Sequence, residues 1–288
     1  MAVALVTGNN LSACVGTAVG ARILSGRTAR MLGAAGIACG LLFQGRAMLH
    51  TTQTLLPVAS DVLVSELLFV TIAVFLIAKA LRAPLSLSMS LVALVLGVAV
   101  HRQLPADYGY AFRVIAMWAV APVAAVAFGF FFLRAVGLAR PRDVWRRIVA
   151  YKVLLVLCSL LAAWVLGANT VGLIVALGGF DLWAVLVALL AVVSGCLWLS
   201  GGEIRRVGED LFSLRYTNAL ASLLVSTVLV EFATLLGIPL SSTQALSASV
   251  LGAGASYRHK LINLRPFLTI IAAWIAVPTL AFAVGCIL

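Results

Sequence analysis

A phrase that occurs twice constrains this chain more than any other feature. Pro84-Leu85-Ser86-Leu87-Ser88 stands thirteen residues before Gly97, and Pro239-Leu240-Ser241-Ser242-Thr243 stands thirteen residues before Gly252. Trp118-Ala-Val-Ala-Pro122 returns as Trp274-Ile-Ala-Val-Pro278. The offsets are 155 and 156 residues. A looser pair is Gly8-Asn9-Asn10 against Gly167-Ala168-Asn169. An apolar chain with such a duplication reads as a secondary transporter built from two halves, whose polar, Gly/Pro-interrupted segments point to the substrate site.

The apolar character is extreme. The 288 residues are 64% hydrophobic and 10% charged, and the mean hydropathy is +1.16. No soluble domain hides so much apolar surface, so a polytopic membrane protein is implied. Twenty Lys and Arg against nine Asp and Glu give a net charge of +11. That excess reads as topogenic, with basic residues flanking spans on the cytoplasmic side, rather than as nucleic-acid binding. The five cysteines, Cys14, Cys39, Cys158, Cys196 and Cys286, are scattered in apolar runs and read as packing, with no metal site. The N-terminus lacks the basic n-region of a cleavable signal peptide.

Residues 31–49, 57–79 and 112–134 each suit one crossing of about 20 residues. Residues 3–20 are rich in small and polar side chains, with a break expected at Gly8-Asn9-Asn10. Residues 85–100 open on a proline, carry three serines and read as a half-helix. Residues 134–147, with Arg134, Arg140, Arg142, Arg146 and Arg147, read as the cytoplasmic linker. The second half reads as 149–166 (span), 167–178 (short, polar-headed), 181–200 (span), 216–237 (span), 239–256 (half-helix) and 266–288 (span). Gly201–Asp210 is amphipathic. The expected division is 1–134, a basic linker 135–147, and 148–288. An odd number of crossings per half would invert the two halves. Only seven residues precede Gly8, whereas a whole span precedes Gly167.

The chemistry lies in the interruptions. Proline at a helix start has no N–H to leave unpaired. Just inside it lie free backbone N–H groups at the positive end of the dipole. Ser241, Ser242 and Thr243 add hydroxyl donors, which together make an anion cradle without net charge. The plainer reading is a packing helix whose hydroxyls bond back to the i−4 carbonyl; the repeat at Ser86 and Ser88 favours function. The Gly-Asn motifs expose amides able to meet a cation or an oxyanion, with helix–helix hydrogen bonding the ordinary alternative. Glu66 and Glu231 lie within apolar segments, and Asp61 and Asp181 near segment ends. Glu231, eight residues before Pro239, is the best placed of them for a role in transport.

These motifs together resemble the inorganic phosphate transporter family, which includes sulfate permeases. The family's paired hallmarks are Gly-Ala-Asn-Asp-Val-Ala-Asn and Pro-Val-Ser-Thr-Thr-His. Pro239-Leu-Ser-Ser-Thr-Gln-Ala245 through Gly252 resembles the second, and Gly201 to Leu214 resembles the loop before it. Asn9-Asn10 with Gly16-Thr17-Ala18-Val19-Gly20 resembles the first, as does Gly167-Ala168-Asn169. The resemblance implies an all-α membrane protein of two inverted repeats, with half-helices meeting near the bilayer midplane, multi-pass in the cell membrane and often a homodimer. It implies no enzyme chemistry and no cofactor. The anion would lie between Ser86 and Ser88 on one side and Ser241, Ser242, Thr243 and Gln244 on the other, closed by Asn9, Asn10, Asn169 and Thr170.

The departures carry information too. Asn10 and Thr170 stand where the family carries aspartate, Gln244 replaces its histidine, and Leu223 replaces an upstream glutamate. Without carboxylates a sodium site is weakened, so a proton is expected to couple before sodium does, with Glu231 as its carrier because burial favours the neutral acid. A donor-rich site also shifts weight toward a fully ionised oxyanion. The expected substrate is inorganic phosphate, with sulfate as the alternative. A non-transporting scaffold of the same fold is the competing class.

Overall fold

A computed structural model describes residues 1–57, 60–80, 86–138, 144–200, 216–256 and 265–288. All regular structure among them is helical. In chain order the helices are α1 (Ala2–Gly20), α2 (Gly26–Gln44), a 3₁₀ turn (Gly45–Met48) and α3 (Leu49–Leu55). Then follow α4 (Asp61–Ala80), α5 (Leu87–His101) and α6 (Tyr108–Leu138). The later ones are α7 (Val144–Leu166), α8 (Gly172–Leu177), α9 (Leu182–Ser194), α10 (Tyr216–Leu235), α11 (Ser242–Ala255) and α12 (Arg265–Gly285). Among the described residues six stretches are long and apolar enough to cross a membrane. The 15 residues of α5 and 14 of α11, at about 1.5 Å each, fall well short of a ~30 Å hydrocarbon core.

The surface is apolar, as lipid requires. Phe69, Phe112, Phe131, Trp183 and Leu190 all point outward and are more than 60% exposed. With lipid outside, burial of apolar side chains drives nothing, and close backbone approach has to hold the bundle together. Glycines supply that approach in a reciprocal pattern. α5 packs on α12, and α11 packs on α6. A Cβ on Gly97 of α5 would collide with the Phe282 carbonyl, and one on Gly285 with the Leu94 carbonyl. A Cβ on Gly252 of α11 would collide with the Val126 carbonyl, and one on Gly129 with Ser249. Gly97 and Gly252 occupy one place in the duplication, Gly129 and Gly285 another.

The same exchange recurs around the Gly-Asn motifs. Gly195 lies against Ala4, and Gly36 lies against Ala163. Gly8 lies against Gly195, and Gly167 against Ile37. Ala4 to Ala163, Gly8 to Gly167 and Gly36 to Gly195 are all 159 residues apart. In that register Asn10 corresponds to Asn169 and Leu11 to Thr170, so Asn10 and Thr170 are not equivalent positions, contrary to the sequence-based expectation.

Three boundaries differ from the sequence-based expectation. α1 runs unbroken through Gly8-Asn9-Asn10: Gly8 is there for the contact with Gly195 and Leu199, not for a break. Segment 167–178 does not stand apart from 149–166 either. The helix continues through a widened π turn, Gly167–Val171, into α8, and such turns absorb an extra residue without ending a helix. Finally, α6 and α7 reach Leu138 and Val144, so Arg134 is helical rather than part of the loop expected over 134–147. Arg140 and Arg142, Pro84, and the amphipathic Gly201–Asp210 lie outside the described residues.

Candidate functional site

The non-helical stretch Gly237–Ser241, between α10 and α11, lies inside the bundle. There water cannot serve its backbone groups, so the protein must. Three successive carbonyls each receive side-chain donors, drawn from α3, α6 and the π turn after α7. Gly237 O accepts from Thr51 Oγ1 and Tyr110 Oη, both 2.5 Å away. Ile238 O accepts from Asn169 Nδ2 at 3.2 Å. Pro239 O accepts from Trp118 Nε1 at 2.9 Å. Gly237 has φ +68°, a left-handed turn that glycine makes without penalty.

Asn169 is the central clamp. Its Nδ2 also donates to Thr234 Oγ1 at 2.9 Å, and its Oδ1 accepts from Leu240 N at 3.2 Å. The side chain is fully buried, and its hydrogen bonds are spent on shaping the approach to α11. Ser241 then caps α11: its Oγ accepts from Gln244 N at 3.2 Å and meets Thr243 Oγ1 at 3.1 Å. Gln244 Nε2 donates to Trp118 O at 3.3 Å, while its Oε1 is buried with no protein partner.

Ser242 stands apart from these. Its Oγ is buried and has no protein partner. It borders a small cavity with Ala13 and Cys14 of α1, Ala162 and Val165 of α7, and Leu223 of α10. The cavity is about 20 Å³, which suits about one water and no oxyanion. Leu223, where the sequence comparison set a lost glutamate, thus faces Ser242 across this space. Nearby Ser226 and Thr227 both donate back to Leu223 O, at 3.0 and 2.7 Å.

The first half is arranged differently. Ser86 caps α5, accepting from Met89 N at 3.4 Å, and Ser90 donates to Ser86 O at 2.9 Å. Ser88 is buried. Asn9 Nδ2 donates to Asn10 Oδ1 at 3.0 Å, so the two amides hold each other on α1. Thr170 is buried in the π turn. None of the predicted hydroxyls on the first turns of α5 and α11 lines the space that the two turns share. Met89 and Gln244 both line a largely apolar cavity of about 630 Å³, together with Trp118, Pro122, Trp274 and Pro278 from the twin Trp–Pro phrases.

Of the four acids, Glu66 pairs with Arg102 at 3.3 Å on the surface, and Asp181 caps α9 through Ala184 N at 2.6 Å. Asp61 opens α4. Glu231 is internal: its Oε1 accepts from Gln44 Nε2 at 2.6 Å, and Gln44 Oε1 accepts from Trp164 Nε1 at 2.6 Å. Among the described residues no group of three or more His, Cys, Asp or Glu gathers as a metal site. Sequence reasoning did not single out Gln44, Trp164, Thr51 or Tyr110. Gln44 was visible as a lone amide in an apolar run. Trp118 was visible in the repeated phrase but had no assigned role.

The model of the phosphate transporter family matches residues 6–285. The chain belongs to that family. It is 22% identical over 282 residues to a Methanocaldococcus jannaschii protein named as a phosphate permease, covering 97% of this chain and 91% of that one. It is 29% identical over 84 residues to a Bacillus subtilis protein named as a low-affinity inorganic phosphate transporter, covering 29% of this chain and 25% of that one. A solved structure of a sodium-dependent phosphate transporter superposes with a TM-score of 0.81 at 16% identity, covering 99% of this chain and 94% of that one. That likeness carries the fold, and the family carries the multi-pass membrane character.

Proposed function

We propose that this chain is a permease for inorganic phosphate, working by alternating access between two inverted halves, 1–134 and 148–288. The observation that carries the reading is Ser242. A hydroxyl is held, buried and without a protein partner, beside the free N–H groups of a helix start that its neighbours are spent on fixing. Ser242 and Thr243 donate to the anion, and Ser86 and Ser88 approach from the other half. Asn9, Asn10 and Thr170 close the side, Asn169 holds the loop, and Gln244 turns its free acceptor toward a proton on the substrate. Because the space beside Ser242 is small, loading requires α11 to part from α1 and α7.

The reciprocal glycine packing supports the two-half reading, since an exchange of equivalent partners is what a two-fold axis produces. With that axis in the membrane plane, α5 and α11 enter as half-helices from opposite faces.

Coupling is to protons through Glu231, since among the described residues no group of acids gathers beside the Asn and Thr side chains to hold sodium. Sodium dependence belongs to the structural neighbour's description alone. The test is uptake of labelled phosphate and labelled sulfate by reconstituted protein, with proton and sodium gradients imposed separately. Phosphate uptake driven by protons is expected, with Glu231→Gln abolishing accumulation while sparing exchange. Preference for sulfate would make the chain a sulfate permease. Sodium-driven uptake that survives Glu231→Gln would refute proton coupling, and no uptake of either anion would leave a scaffold.

A further inference from the structure

The hydrogen bonds around Glu231 have only one consistent direction. An indole N–H donates and never accepts. The Trp164 ring is stacked on Phe43, with centroids 5.8 Å apart and planes within 5°. Its Nε1 meets Gln44 at 2.6 Å, so the Gln44 atom there is the carbonyl oxygen. The Gln44 amide nitrogen therefore faces Glu231 Oε1, also at 2.6 Å. Oε1 is the acceptor in this arrangement, and the carbonyl oxygen of an acid accepts better than its hydroxyl, which favours Oε2 as the oxygen that carries the acid's hydrogen. The other oxygen, Oε2, is buried and has no protein partner.

A carboxylate in this position would leave one charged oxygen unsatisfied inside a membrane span, which is costly. No cation offsets it: among the described residues Glu231 is in no ion pair. α1, α11 and the π turn, all packed against α10, carry no charged residue. Arg46 of the 3₁₀ turn lies over Phe180, and Arg113 and Arg134 of α6 lie over Tyr110 and Phe130. Arg146 and Lys152 sit at the far end of α7 from Trp164. On α2, which carries Gln44, Arg30 donates to Gly26 O and Leu197 O, and Arg27 is on the first turn.

We propose that Glu231 is a proton-binding carboxyl whose hydrogen resides on Oε2, with Gln44 as the positioning residue and Trp164 as the group that fixes the orientation of Gln44. This rests on the proton-coupled reading above and deepens it. The location gives the proton a consequence. Thr234, one turn along the same face of α10, holds Asn169, and Trp164 lies five residues before Asn169 on α7. Two hydrogen-bonded rungs thus join α7 and α10, one through Glu231 and one through the clamp on the loop before α11. Loss of the proton to water on one side leaves a charge in the first rung; uptake from the other side restores it. The opening of α11 is thereby tied to the carboxyl's state.

Infrared difference spectroscopy on the reconstituted full chain, titrated with pH, tests this without relying on transport. Expected is a protonated-carboxyl C=O band that Glu231→Gln removes. In Gln44→Leu and in Trp164→Phe, which keeps the stacked ring, the band moves to higher wavenumber because the C=O loses or weakens its donor. Absence of any such band at every pH at which the protein stays folded would overturn the proposal. So would a band that neither substitution moves. A band that behaves as expected, with uptake indifferent to a proton gradient, would sustain the proton site and refute the coupling reading.

Discussion

The starts of α5 and α11 are two copies of one device with different contents. Both are capped by a serine in extended conformation, Ser86 and Ser241. Both helices are pressed through a glycine onto a carbonyl of a helix from the other half, Gly97 on Phe282 and Gly252 on Val126. The next positions diverge. Where α11 has Ser242, Thr243 and Gln244, α5 has Leu87, Ser88 and Met89. Leu87 is a buried core residue, whereas Ser242 presents an unpartnered hydroxyl. The duplication has kept the backbone contacts, where a methyl group already collides, and let the donors drift. The glycine contacts are matched in both halves, whereas the unpartnered hydroxyl at this position is found in the second.

Asn169→Ala should break this arrangement most severely. It leaves Leu240 N and Ile238 O buried without partners, at about 1–3 kcal/mol for each orphaned group. Thermal unfolding in detergent should show a large loss, whereas Asn10→Ala, which frees only Asn9, should cost far less. Equal losses would mean that Asn10 clamps a loop in the first half as Asn169 does in the second.

Ser242→Ala comes next, in affinity rather than stability. A lost hydrogen bond to a charged group costs about 1.5–3 kcal/mol, roughly a tenfold to hundredfold weaker phosphate binding. Thr243→Ala should follow more weakly, because its hydroxyl is shared with Ser241. The unfolding midpoint of Ser242→Ala should not fall, since that oxygen has no protein partner to lose. Calorimetric binding at unchanged affinity would place the anion elsewhere. Gly97→Ala and Gly252→Ala sharpen the scaffolding half of the comparison: each forces a backbone carbonyl aside, at about 1–3 kcal/mol. The two should match, and a marked inequality in unfolding would show that the halves are not equivalent scaffolds.

The helices were legible because lipid-facing spans need long apolar runs whatever they pack against. The short helices α5 and α11 were legible, but their starts were set at the prolines; Ser86 and Ser241, each two residues beyond its proline, cap the helices instead. The reading failed at Gly8-Asn9-Asn10, and instructively. Glycine beside asparagine suggests a break, yet the same glycine serves close packing against Gly195, and adjacent amides satisfy each other without leaving the helix. Only the partner segment, some 190 residues away in sequence, decides between those roles. Asn169 and Asn10 look alike in sequence, but one clamps a loop and the other binds its neighbour. The Trp164–Gln44–Glu231 chain spans three helices and has no local pattern to betray it. Trp118 was visible through its repetition, but its acceptor at Pro239 belongs to the other half.

The smallest expected effect concerns the caps, and it bears most directly on whether both halves touch the anion. Ser86→Ala and Ser241→Ala each remove an N-cap, worth about 1 kcal/mol. Ser86 should cost less, its contact with Met89 N being 3.4 Å against 3.2 Å for Ser241 with Gln244 N. A capping serine uses a lone pair to accept the backbone N–H and keeps its own hydrogen free to donate. Both hydroxyls can therefore cap and bind at once. If α5 shares the grip, Ser86→Ala should weaken phosphate binding by a few-fold beyond its small loss of stability, and Ser86→Thr should restore both. If binding is unchanged while stability falls by the cap's worth, α5 supplies scaffolding alone, and the anion is held from the α11 side with no matching contribution from the first half.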